Sequence, residues 1–175
     1  MASHIPFGSM SFGQVARGLV AIHAMIRAGT DESAEAESVR DSLDAPYKVL
    51  TSTERDRAQW LSEDLYSISD PPDVNTPKEL NPQAQQQLAE AFAARQNREW
   101  DRALLLLRQV QRSIAAALLS YLRGSIWWEA GHPQVAAEFF RHASECDPAN
   151  AEYRATSLQA WAEAPPQATL VSQTR

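Results

Sequence analysis

Residues 121–148 read YLRGSIWWEAGHPQVAAEFFRHASECDP, and their spacing decides the fold. The run Tyr121 to Ala130 has helix-forming length and an apolar face at Leu122, Ile126 and Trp127. Gly131 is placed to end that helix in the left-handed conformation, and Pro133 suits the first turn of the next, where a missing amide costs nothing. Ala136, Phe139, Phe140 and Ala143 then recur at three-to-four spacing, a stripe that faces the first helix. Gly124 and Ala136 are small where two antiparallel helices must come close, with Trp127 and Phe140 expected to fill the space on either side. Asp147-Pro148 closes the second helix, because the residue before a proline is biased away from helical geometry.

Read outward, the chain alternates helix-like runs with punctuation at Gly29, Pro46, Pro71-Pro72, Pro77, Pro82 and Pro165-Pro166, and no alternating strand pattern of useful length occurs. The expected fold class is all-α. Residues 1–10 read as a disordered leader, with Ser11 as N-cap of a helix from Phe12 to Ala28 stopped by Gly29. A second helix is expected over Glu32 to Leu43, ended by Pro46. Thr51-Ser52-Thr53-Glu54 has the spacing of a capping box that starts a third helix reaching Ile68, with Trp60, Leu61, Leu65 and Ile68 inward. These helices make an acidic N-terminal region, 11–69, followed by a proline-rich linker, 70–80. Asn81 caps a new helix with Pro82 in its first turn, opening a repeat region, 81–164, whose last helix, Ala151 to Ala164, caps the array. The remaining tail, 165–175, reads as disordered.

Gly124, Trp127, Gly131, Ala136, Phe140, Ala143 and Pro148 resemble the tetratricopeptide signature, a helix-hairpin repeat of about 34 residues. A divergent first repeat precedes it, with Trp100, Ala103, Leu107 and Val110 on its second helix. Two registers are open for its first helix. One puts Ala91 and Ala94 on the packing face, 33 residues before Gly124 and Trp127; the other puts Leu88, Ala89 and Phe92 there. The second is preferred because it buries larger apolar residues. The segment Leu61 to Tyr66 is similar to one found ahead of the repeats in some bacterial tetratricopeptide proteins of unknown function. The resemblance implies an α-solenoid of two hairpins and a capping helix. Arrays of this kind usually need about three units, so the N-terminal helices are expected to pack on the first repeat, to form their own small core, or to give way to association of two chains.

The net charge of −6 excludes a general nucleic-acid or anionic-membrane surface. Between Thr30 and Asp73 twelve acids face four bases, opposite a repeat region holding Arg95, Arg98, Arg102, Arg108 and Arg112. That polarity suits mutual docking, a basic partner, or simply a solvated acidic face. A single Cys146 fits a reducing compartment and rules out an intramolecular disulfide, and cytoplasmic residence is the expectation. His4, His23, His132 and His142 stand at no metal-binding interval, and no phosphate loop or nucleophile-base order appears. Neither a cofactor nor catalysis is expected. Function is placed instead on the concave face of the repeats, where Leu118, Tyr121, Ser125, Trp128 and Glu129 turn away from Trp127 and Gly124 to meet a peptide or partner helix. The alternative is a self-assembling, homodimeric scaffold.

Overall fold

The computed structural model describes residues 7–69 and 80–164. Among them are eight helices and no strand: α1 (Met10–Ala28), α2 (Ala34–Lys48), α3 (Ser52–Tyr66), α4 (Pro82–Gln96), α5 (Trp100–Val110), α6 (Ala116–Glu129), α7 (Pro133–Cys146) and α8 (Ala151–Glu163). Residues 70–79 of the expected linker and 165–175 of the expected tail lie outside the described residues.

The locally written signals hold. Asn81 accepts from the amide of Ala84 at 2.8 Å, with Pro82 in the first turn of α4. Gly131, at φ 89°, lets the chain turn back so that the His132 amide reaches the Trp127 carbonyl at 2.9 Å. At the start of α3 Thr51 and Glu54 form the reciprocal capping box, and the second carboxylate oxygen of Glu54 accepts from the Ser9 amide at 2.7 Å. One side chain thus caps α3 and ties it to the start of α1. Burial pushes the Glu54 carboxyl up, but the Ser9 and Thr51 amides, with their hydroxyls, outweigh it and hold the group down to about 2. A depressed carboxyl adds stability that is complete above its unfolded value and is lost as pH falls through the folded one. Unfolding free energy should therefore decline from about pH 4.5 to pH 2, with Glu54→Gln flattening that decline and costing about 1 kcal/mol at neutral pH, where the cap bond is weakened. Urea titrations at several pH values check both; an unchanged acid limb in the variant would remove Glu54 from the account.

Four boundaries or orientations differ from expectation. α1 begins at Met10 with Ser9, not Ser11, as its cap, because the Ser9 hydroxyl accepts from Phe12 N–H at 3.1 Å. Phe7, assigned to the leader, is buried beside Phe12, Trp127 and His132, and the Arg57 guanidinium lies 4.4 Å over its ring. Aromatic burial of this kind offsets the entropy of fixing a few terminal residues. α2 starts at Ala34 and runs through Pro46 to Lys48, since a proline two residues from a helix end removes a single ladder bond. In α4 the buried positions are Ala84, Ala91 and Ala94, while Phe92 is 41% exposed, Ala89 is exposed and Leu88 half-buried. The alanine register therefore replaces the preferred one. Small residues let α5 approach α4 closely, and Leu104, Leu107 and Trp100 fill the space from the other helix.

The hairpins α4/α5 and α6/α7, with α8 on α7, form the repeat part, and α1 packs on α2, α3 and α7. Gly124 does admit a neighbour, but that neighbour is the Phe140 ring: a Cβ built on Gly124 would stand 2.7 Å from its Cδ1 and Cε1. Phe140 consequently lies beside Tyr121 and Trp128, and Trp127 is not its partner but turns to Phe7, Phe12 and His132. Gly124→Ala should lose up to about 2 kcal/mol, because overpacking costs about 1–3 against a helix-propensity gain of about 1. A gain in the urea midpoint would show that the ring gives way freely.

Charged groups join the N-terminal helices to the repeats. Asp64 on α3 meets Arg123 at 2.8 Å and Arg108 at 2.7 Å, and Arg108 also pairs with Glu63. Arg57 holds Asp101 through two bonds of 2.7 Å. Glu138 on α7 takes Arg27 and Arg141 at 3.1 Å and lies 3.4 Å from His23, an ion-pair distance that makes no hydrogen bond. Of the readings open for the acidic region, docking is observed at Arg108, through Glu63 and Asp64. Arg95 and Arg102 instead pair inside the repeats, with Glu129 and Glu99. Along α2, Glu35, Glu37, Asp41 and Asp44 stay solvated.

Candidate partner-binding groove

The ion pairs and ring contacts of α1 and α3 fall on α5, α7 and one side of α6. The other side of α6, flanked by α4 and α8, carries the residues expected to meet a partner. Adjacent residues on a helix point about 100° apart, and here that separates Trp127, 2% exposed, from the half-buried Trp128. Trp128 borders a hollow of about 120 Å³ lined also by Arg95 of α4, Ser125 of α6, Phe140 of α7, and Thr156 and Gln159 of α8. Its floor is aromatic and its rim polar.

Of the five expected residues, Ser125, Trp128 and Glu129 line this hollow. Glu129 is exposed at the rim and neutralises Arg95 across the α4–α6 gap. Ser125 is buried and its hydroxyl donates to the Tyr121 carbonyl at 2.9 Å, so that donor is already engaged within α6. Tyr121 lies alongside, its hydroxyl donating to Glu152 at 2.8 Å and its ring 4.9 Å from Tyr153. Burial, and then the Glu152 carboxylate, raise the Tyr121 phenol. Leu118 is half-buried against the core and lines no part of the hollow. Phe140, Thr156 and Gln159 were missed because the first belongs to the partner helix of the hairpin and the others to the capping helix. A period count along α6 alone does not reach them; Tyr153, Thr156, Ser157 and Ala160, at three-to-four spacing, mark the inner face of α8, with the exposed Gln159 at its edge.

No family model, curated protein or solved structure matches this chain. Chemistry must therefore be read from the molecule. Among the described residues, Ser120, His142 and Cys146 form a buried set that includes nucleophile types: the Ser120 hydroxyl is 2.7 Å from His142 Nδ1 and the Cys146 Sγ 3.5 Å from Nε2. Burial, and then Arg141, pull the His142 imidazole down to about 4, which keeps it neutral between α6 and α7. All three residues are buried, so the arrangement satisfies polar groups inside the hairpin. His23 is likewise buried, its Nδ1 3.1 Å from the Ser69 hydroxyl. Among the described residues no cluster of three His, Cys, Asp or Glu is placed to hold a metal ion, and no helix is long and apolar enough to cross a membrane.

Proposed function

We propose that this protein is an interaction module of tetratricopeptide type, binding a peptide or partner helix on the face built by α4, α6 and α8. What carries the reading is the division of labour between Trp127 and Trp128. One tryptophan is inside the aromatic box that fastens α1 to α6; the next borders the hollow on the opposite side of α6. The N-terminal helices act as the missing third unit, contributing buried surface where a further repeat would otherwise be needed. Tyr121, which meets the same Phe140 ring as Trp128, and Phe92, which shares a neighbouring hollow with Arg95, extend the apolar ground, and partly exposed aromatics of this kind act as binding anchors. The partner class is a protein segment presenting an apolar side chain to the hollow.

Trp128→Ala should lower stability by about 2–3 kcal/mol, less than Trp127→Ala, since the ring is partly buried against the core, and should weaken a bound peptide by about 2 kcal/mol beyond that loss. Peptides selected from a random display library on the wild-type protein, then titrated against the variant, check this. Equal affinities for both proteins would place binding elsewhere.

A further inference from the structure

We propose that the cleft between α1, α7 and the end of α8 binds a small, mostly apolar, uncharged molecule whose single N–H or O–H is accepted by Glu138. The cleft has a volume of about 290 Å³ and walls formed by Val20, Ala21, Ala24, Met25, Ala137 and Trp161. Helix interfaces are normally filled to the density of an organic crystal. Here alanines from α1 and α7 leave space for roughly ten water molecules, or a ligand of roughly ten to fifteen non-hydrogen atoms.

Apolar walls alone would specify nothing, and the polar group supplies the second observation. Glu138 lines the cleft and is 5% exposed. Its contacts with Arg27, Arg141 and His23 are all made through Oε2, and among the described residues Oε1 receives none. Burial works to raise this carboxyl, but His23, Arg141 and Arg27 prevail and keep it below the usual range, so Oε1 is an anionic acceptor. Such an oxygen facing an apolar space is satisfied by one donor. Charge beside the cleft is formally even, with Arg17 and Glu35 both on its lining and Glu138 already met by Arg27 and Arg141, so an uncharged ligand is the simplest fit. Apolar walls with a few polar groups, here Glu138 with Arg17, Thr30, Glu35 and Gln134 around it, are the common form of a small-molecule site.

Indole, which carries one N–H on an apolar body, is the probe, and 1-methylindole is the control without the donor. The readout is the Met25 methyl resonance, one of only three methionine methyls in the chain. Indole should move it saturably, and 1-methylindole should bind at least about tenfold more weakly, the factor expected for losing one hydrogen bond to a charged acceptor. Ala24→Leu, at an exposed position on the cleft wall, should weaken indole at least about tenfold by occupying the space. If that variant is unfolded, Ala28→Leu, exposed one turn further on, provides the same comparison. Trp128→Ala should leave indole binding within about twofold, which separates this cleft from the partner groove. No saturable Met25 shift, equal affinity for the two probes, or insensitivity to the cleft-filling leucines would overturn the proposal.

Discussion

Asp64→Ala should cost about 3–5 kcal/mol, the loss expected when one member of a buried ion pair is removed and the other stays behind. Arg123 is 1% exposed, and without Asp64 its guanidinium would keep only Gln111, at 3.3 Å, with the like charge of Arg108 beside it. Burial lowers the Arg123 guanidinium and raises the Asp64 carboxyl, and the attraction between them works against both shifts. Arg123→Met should be milder, because Asp64 retains Arg108 at 2.7 Å. The double variant Asp64→Leu with Arg123→Met should return to within about 1 kcal/mol of the wild type, as apolar replacements of buried pairs often do. Urea unfolding of these proteins together with the single Asp64→Leu variant closes the cycle. A loss below about 1 kcal/mol for Asp64→Ala would mean that α3 is not clamped to α6 through this pair.

Trp127→Ala should cost about 3–5 kcal/mol as a core aromatic truncated in a packed site. The ring is 2% exposed, with Phe7 at 5.3 Å and His132 at 5.4 Å between centroids, so its removal leaves a cavity shared by the N-terminal helix and the repeat. Because Phe7 and Phe12 contact this one ring, Phe7→Ala should destabilise in the same direction. Thermal unfolding of Trp127→Ala with a loss under about 1 kcal/mol would show that the box holds nothing together.

Local rules made most of the repeat region legible. Asn81-Pro82, the Thr51–Glu54 box and the Gly131–Pro133 turn each specify their conformation within a few residues, and each is present as read. The α4 register was not legible, because choosing between Leu88 and Ala91 depends on how close α5 comes. Area alone favoured the larger residues; backbone approach favoured the smaller. Arg123 stands beside Leu122 on an apolar helix, and nothing near it in sequence signals Asp64, 59 positions earlier. Phe7 escaped for the same reason, since its partners lie on α1, α3 and α6. In the groove, α6 supplied Trp128 and Glu129 by period counting, while the floor came from α7 and the far wall from α8. A site shared by four helices shows only the residues of whichever helix is read.

The most direct test of the proposed groove is side-chain footprinting of a selected peptide complex, measuring oxidation at aromatic residues with and without the peptide. Protection should concentrate on Trp128, with Phe92 and Tyr121 beside it, and leave the exposed Tyr47 and Tyr66 of the N-terminal helices unchanged. Protection of Tyr47 or Tyr66 with Trp128 unaffected would contradict the account, placing the partner on the N-terminal helices rather than on the face of α4, α6 and α8.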